Sequence, residues 1–262
     1  MLYLKKLLYL IIAIPFLIIL IWLFAVPTSL IHERIIDAIA GPAGSNVEVT
    51  ISDLKKGVLL SLHADKVEVK SNSVSALTLN NLSAHISPHH LFQGRPAILL
   101  KGNVGDGDLR AVLFLSREGS MKIENASIDA ITYLDHYGIS GKGNIFSETT
   151  FNLENESADI SLEIPDLDLN ESVQVIPFAD SLKKIQGRLL VKGNRIEVNS
   201  FSLEGAKGYA RLEGLINNGH MNLKLEVMPQ LDKLTPLESM LIGKYIVSPG
   251  YYVIPIKGPF LL

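Results

Sequence analysis

Residues 185–229 read IQGRLLVKGNRIEVNSFSLEGAKGYARLEGLINNGHMNLKLEVMP, and their period decides the fold class. In the clearest part, Met221, Leu223, Leu225 and Val227 alternate with Asn222, Lys224 and Glu226. Such alternation gives a strand one apolar and one solvated face, as in antiparallel sheets. Gly193-Asn194 and Asn217-Asn218-Gly219 are hairpin signals between strands of this kind. The stretch therefore reads strand, hairpin, strand, Gly-marked bend, a strand carrying Leu212, Gly214 and Ile216, polar turn, amphipathic strand.

The same period extends outward. Val47, Val49 and Ile51 alternate with polar residues, as do Val67 with Val69, and Ile160, Leu162 and Ile164. Further hairpin signals stand at Gly105-Asp106-Gly107 and Arg117-Glu118-Gly119. The helical pattern that a βαβ core needs after each strand is missing. Two short helices are expected, over Phe178 to Ile185 before Gly187 and over Leu231 to Tyr245 with a break at Pro236. Asp65 to Ser71 echoes Asn194 to Ser200, which reads either as weak internal repetition or as the common look of amphipathic strands.

The N-terminus is of another kind. Leu7 to Val26 is a run of 20 uncharged residues, 15 of them Leu, Ile, Phe or Val, long enough to cross ~30 Å of hydrocarbon as a helix. Lys5 and Lys6 precede it, and the charges of Glu33, Arg34 and Asp37 after it nearly cancel. The positive-inside rule then keeps the N-terminus cytoplasmic and exports the rest. A cleaved signal peptide is the competing reading. Against it, the run exceeds the ~7–15 residues of a signal's apolar region, and Ala38-Ile39-Ala40 lies well past its end. Ser29 to Ala40 is expected to be a short amphipathic helix stopped by Gly41-Pro42. The organisation follows as a cytoplasmic tip and transmembrane anchor (1–26), a juxtamembrane helix and linker (27–44), and one β-rich domain (45–262).

Composition narrows the chemistry. The chain has 262 residues, 47% hydrophobic and 19% charged, with mean hydropathy +0.27, which excludes a disordered chain. A net charge of −3 argues against a nucleic-acid partner. The absence of cysteine removes disulfides, thiolate metal sites and cysteine nucleophiles. His85, His89 and His90 include an H-x3-H spacing, but Pro88 interrupts it and no third ligand stands at a zinc-site distance, so a polar loop is expected there and no metal. Ser52-Asp53-Leu54-Lys55 and Ser181-Leu182-Lys183-Lys184 match S-x-x-K without its companion motifs. No phosphate-binding or nucleophile-elbow pattern occurs. No catalytic residue, metal or cofactor is expected.

Residues 185–229 resemble the AsmA-like repeat of bacterial envelope proteins, and the whole chain, with its anchor, length and spacing, resembles the type II secretion system protein N (GspN) family. Lys122 to Ile128 leading on to Ile139-Ser140-Gly141-Lys142-Gly143, Pro177-Phe178 with Leu182 and Gly187, and Val253 to Pro259 fit the same plan. The resemblance implies a bacterial inner-membrane protein, single-pass, with its bulk in the periplasm and secretion-system subunits as partners. It transfers no catalytic residue.

The fold expected is mainly β: an N-terminal transmembrane helix, then a curved antiparallel sheet (a half-pipe, β-taco-like) with a few short helices. Its apolar face must be covered or bind something. The candidate face is Ile196, Val198, Leu212, Met221, Leu223, Leu225 and Val227. As a packed core it suits a non-enzymatic assembly or scaffold component whose polar edges and loops bind machine subunits. As an open groove it suits a phospholipid or another acyl-chain lipid, by fold-level analogy alone.

Overall fold

The computed structural model describes residues 13–14, 17–40, 47–58, 60–71, 74–132, 140–169 and 181–259. Two helices come first, α1 (Leu17–Ala25) and α2 (Thr28–Ala40), bent by 84° at the break between them. Among the described residues no single helix is long and apolar enough to cross a membrane; the bent pair passes that test together. Part of the expected span, including Pro15, lies outside the described residues. The last turn of α1, Ile21–Ala25, is π-helical and closes on Val26 N–H donating to Ile21 O at 3.2 Å.

The strands are β1 (Val47–Ser52), β2 (Lys55–Gly57), β3 (Ser61–Ser71), β4 (Val74–Ile86), β5 (Ala97–Val104), β6 (Gly107–Phe114), β7 (Glu118–Ser127), β8 (Gly141–Lys142), β9 (Asn144–Asn152), β10 (Ser157–Ile164), β11 (Asp168–Leu169), β12 (Leu182–Lys192), β13 (Arg195–Gly205), β14 (Gly208–Asn217), β15 (His220–Pro229), β16 (Ile246–Ser248) and β17 (Tyr251–Pro259). Two more helices, α3 (Pro88–Phe92) and α4 (Pro236–Gly243), lie between them. Fifteen strands form one sheet in the order β1-β3-β4-β5-β6-β7-β9-β10-β12-β13-β14-β15-β17-β16, with β2 on β3, while β8 and β11 pair separately. The order follows the chain almost throughout, so the architecture is an antiparallel meander. It is open, since its first and last strands do not meet.

Two local expectations are corrected. Leu182 to Ile185 is strand, not helix; residues 178–180 lie outside the described set. Phe178, Leu182 and Ile185 carry helical spacing, but a register shift between Leu182 and Lys184 converts a strand's step of two into a step of three. The segment around His89 is a short helix rather than a loop: Ser87 caps it, accepting from His90 N–H, with Pro88 in its first turn, where a missing N–H costs nothing.

Three bulges fall on one line across the sheet. In β4 the extra residue stands opposite Gly102, in β7 opposite Phe146, and in β13 opposite both Gly187 and Glu213. Each bulge holds one residue in the left-handed region, Asn81 (φ 50°), Asn125 (φ 61°) and Ser200 (φ 55°). The ladder joins them laterally: Gly102 pairs with Leu109, Leu109 with Ile123, Phe146 with Glu163, Leu162 with Gly187, Glu213 with Lys224, and Lys224 with Pro255. A bulge bends its strand and sharpens its twist, so the line divides the sheet into two arms.

The arms differ in their connections. On one side the strands are joined by tight turns at 115–117, 153–156, 193–194 and 218–219, and β4 to β5 by residues 87–96, which carry α3. On the other run the long connections after β7, β10 and β15. Ile128 (6% exposed), Leu167 (1%) and Ile242 (0%) from those connections pack with Val104, Ala126, Ile145, Ile164, Leu203, Ala210, Leu225 and Val227 as the main core. The whole chain exposes 16295 Å², against about 11,300 Å² for a compact monomer of its 28.7 kDa.

Candidate functional site

The seven face residues lie on the same side of the sheet, because paired residues on neighbouring strands share a face. Register sets them in rows: Ile196 with Ile216 and Met221; Val198 with Gly214, Leu223 and Ile256; Leu212 with Leu225 and Ile254. The bulge line splits this set. Leu225 (2% exposed) and Val227 (0%) belong to the main core under the long connections. Val198, Ile216 and Leu223 form a separate small cluster on the tight-turn arm, with Ile196, Leu212 and Met221 half-buried against it.

On that arm the apolar side continues from strand to strand. Leu113, Met121, Phe151, Ile160 and Leu189 occupy it and remain half-buried. Met121 also packs against the main core and Leu189 against the small cluster. The candidate face is thus two surfaces, one closed by the chain itself and one left open.

The opposite side of the sheet is polar. An open cleft of about 690 Å³ spans β7, β9, β10, β12 and β13 along the bulge line, lined by Lys122, Glu148, Glu163, Arg188 and Ser202 among others. Charges pair along and across strands: Lys122 with Glu124 of its own strand at 3.0 Å and with Glu148 of the next at 3.1 Å, Glu163 with Lys184 at 3.0 Å, and Arg188 in a two-pronged contact with Asp159. The Arg188 guanidinium, by hydrogen bonding, holds the Asp159 carboxyl below the usual carboxylate range. Lys224 sits between Glu213 at 2.5 Å and Glu226 at 3.1 Å, and hydrogen bonds to both raise its ammonium above the ordinary lysine value. These pairs are mostly exposed, so each contributes little stability. Their consequence is register: a strand slipped by one residue would lose these partners and turn its apolar side to the other face.

The sheet's edges are blunted. At one, α2 packs on β1, and His32 Nε2 lies 3.3 Å from Ile51 O. At the other, β16 covers only the start of β17. Val253 N–H donates outward, to Tyr245 O at 3.0 Å. Since N–H groups alternate sides along a strand, those of residues 255, 257 and 259 also face outward, and two of these positions are proline. An added strand would find one donor along this stretch, which is how natural edges resist pairing.

The histidines have local partners. His90 Nδ1 lies 2.8 Å from Ser87 Oγ, its ring packs edge-on against Phe114, and His89 meets Gln93. Among the described residues no group of three His, Asp or Glu side chains could hold a metal ion. In the second S-x-x-K match Ser181 is buried and Lys184 is directed to Glu163 at 3.0 Å.

Sequence reasoning missed the bulge line, although a signal was there. At each bulge the apolar spacing slips from two to three: Leu79 to Leu82, Ile123 to Ala126, Val198 to Phe201. Asn81, Asn125 and Asn199 stand in the gaps. In comparison with known proteins, no family model, no curated protein and no solved structure matches this chain.

Proposed function

We propose that the chain is a non-enzymatic scaffold of the bacterial cell envelope, an accessory component of type II protein secretion of the protein N kind. On this reading it is anchored once in the inner membrane with its N-terminus cytoplasmic and its β domain periplasmic. The bulge line is the crease about which the sheet curves into a half-pipe. Partner subunits dock on the polar side, along the cleft that follows the crease, rather than by strand addition at the blunted edges. The observation that carries this is the division of the two faces: Leu225 and Val227 are shut inside the protein's own core, while the charged side chains of β7 to β13 are presented in a cleft. The resemblance of residues 185–229 to the AsmA-like repeat supplies the biological setting.

One observation favours a second reading, an acyl-chain groove. The tight-turn arm leaves Ile160, Leu189 and Met221 only half-buried. A photo-crosslinking residue placed in cells at Lys224, Met221 or Leu225 separates the two. Protein adducts at Lys224 with Met221 silent support the scaffold. Lipid adducts at Met221 overturn it in favour of the groove. Leu225 is the buried control and should stay silent in both.

A further inference from the structure

The first hairpin of the sheet grips the end of α1. Lys56 Nζ donates to three main-chain carbonyls there, Trp22 O at 3.0 Å, Leu23 O at 2.8 Å and Val26 O at 2.6 Å. An ammonium has three N–H donors, so the set is used in full. The same ammonium lies 5.9 Å from the centroid of the Trp22 ring. Trp22 answers in kind, its Nε1–H donating to Gly57 O at 3.0 Å. Helix carbonyls at a C-terminus lack partners within the helix, and the π turn at Ile21–Ala25 gathers these on one side.

This contact fixes a depth. Trp22 lies four residues before Val26, so Gly57 stands about 6 Å back along the helix from its end, on the side of the apolar run. Beyond Gly57 the hairpin continues to Val58, 65% exposed, and on α1 the neighbouring Phe24 is 83% exposed. An apolar tip beside an apolar helix, both open to the surroundings, would be a liability in water. The backbone suits a poorly hydrated medium instead: Gly57 O is taken by Trp22, and Val58 O accepts from Ser61 Oγ at 2.7 Å. Unpaired carbonyls would be costly there. The indole and the ammonium are the side chains that hold positions at a membrane–water interface.

We propose that the tip of the β2–β3 hairpin, at Gly57-Val58, is a membrane-docking tooth seated in the interfacial zone of the lipid bilayer beside α1 and held there by Lys56 and Trp22. The inference rests on α1 belonging to a membrane anchor. It goes further in making the β domain a rigid continuation of that anchor, with its first strands fixed against the bilayer surface.

The absence of cysteine makes single-site labelling clean. The full chain is reconstituted into phosphatidylcholine–phosphatidylglycerol vesicles after Val58→Cys, Leu17→Cys or Glu154→Cys, each labelled with an environment-sensitive fluorophore. Blue-shifted, brightened emission at 17 and 58, with 154 as in water, is the expected result. Adding Lys56→Met to Val58→Cys should return the emission at 58 to that of 154 while 17 stays dry and the β-sheet circular dichroism is unchanged. Lys56→Arg, which keeps the donors, should hold 58 dry and separates loss of the contact from loss of the fold. Water-like emission at 58 with 17 dry overturns the tooth and leaves the anchor standing. Water-like emission at 17 removes the anchor reading itself, and a dry 58 in the Lys56→Met chain refutes the role given to Lys56.

Discussion

Gly187 and Phe201 test whether the bulge line holds the sheet in shape. Gly187 stands opposite the β13 bulge, and the Phe201 ring lies across it. A Cβ at Gly187 would sit 2.5 Å from Phe201 Cδ2 and 2.6 Å from Cδ1, in contact with Cγ as well. Carbon atoms prefer ~3.5–4.0 Å, so the ring would have to shift by about 1 Å. Overpacking of this kind costs about 1–3 kcal/mol, offset by about 0.5–1 kcal/mol because alanine is better than glycine within a strand. Gly187→Ala should therefore destabilise by about 0.5–2 kcal/mol. Phe201→Ala removes a half-buried ring and should cost about 2 kcal/mol, less than the 3–5 kcal/mol of a fully buried one. In the double variant the new methyl occupies the space the ring leaves. The two changes should then fall short of additivity by about 1 kcal/mol or more. Urea unfolding in detergent, followed by far-ultraviolet circular dichroism, measures all four proteins. Additivity to within about 0.3–0.5 kcal/mol would falsify the packing of ring on glycine.

Three further outcomes follow from the same geometry. Leu225→Ala, in the closed core, should lose about 2–4 kcal/mol, whereas Met221→Ala on the half-covered arm should lose about 1 kcal/mol; equal losses in urea melts would contradict the division into two arms. Replacing Pro255 and Pro259 by threonine restores two outward N–H donors and should add edge-paired species of higher mass than the parent chain's, read by light scattering after gel filtration, with unchanged mass as the refuting result. Acid should weaken the fold through Glu226, which the Lys224 ammonium holds below the ordinary glutamate range, and through Glu238, where Lys207 and Thr235 outweigh burial in the same direction. A depressed carboxylate contributes its full stability above the unfolded value of about 4.3 and loses it as pH falls through the lower folded value. Tm should therefore drop below about pH 4, and Lys224→Met should flatten that drop; an identical acid profile would remove Glu226 from the account.

The antiparallel meander was legible because its signal is local. Met221 to Val227 alternate without a break, and three of the four quoted hairpin signals lie at the turns of the ladder, while of Arg117-Glu118-Gly119 only Arg117 does. What period two conceals is a change of phase. A bulge shifts the apolar set by one residue, so Leu79 to Leu82 or Val198 to Phe201 reads as lost pattern when each strand is taken alone. Only the register of neighbours shows that the slips coincide across the sheet. Leu182 to Ile185 illustrates the same concealment, where a step of three imitated a helix. The division of the candidate face was hidden for another reason. Leu225 and Met221 are equivalent in sequence, and what separates them is a cover made of Ile128, Leu167 and Ile242, which are remote along the chain. No property of a strand announces which loop will fold over it.

That cover has an order which bears on function. In a meander every second connection lies at the same end of the sheet, so the long connections after β7, β10 and β15 all return over one arm. Tight turns cannot return over the sheet, because two to four residues suffice only to reverse the chain. The edges are meanwhile closed to strand addition by α2 at β1 and by proline in β17. With edges blunted and one apolar arm filled, the polar cleft and the bare apolar arm are the two broad surfaces left for recruitment. They lie on opposite sides of the same strands β7 to β13, separated by one layer of backbone. The three bulges bend these strands, so the curvature of one surface is tied to that of the other. A partner that flattened or deepened the polar cleft would therefore change the width of the apolar arm, and an acyl chain on that arm would change affinity for the partner by the same factor, as linkage requires.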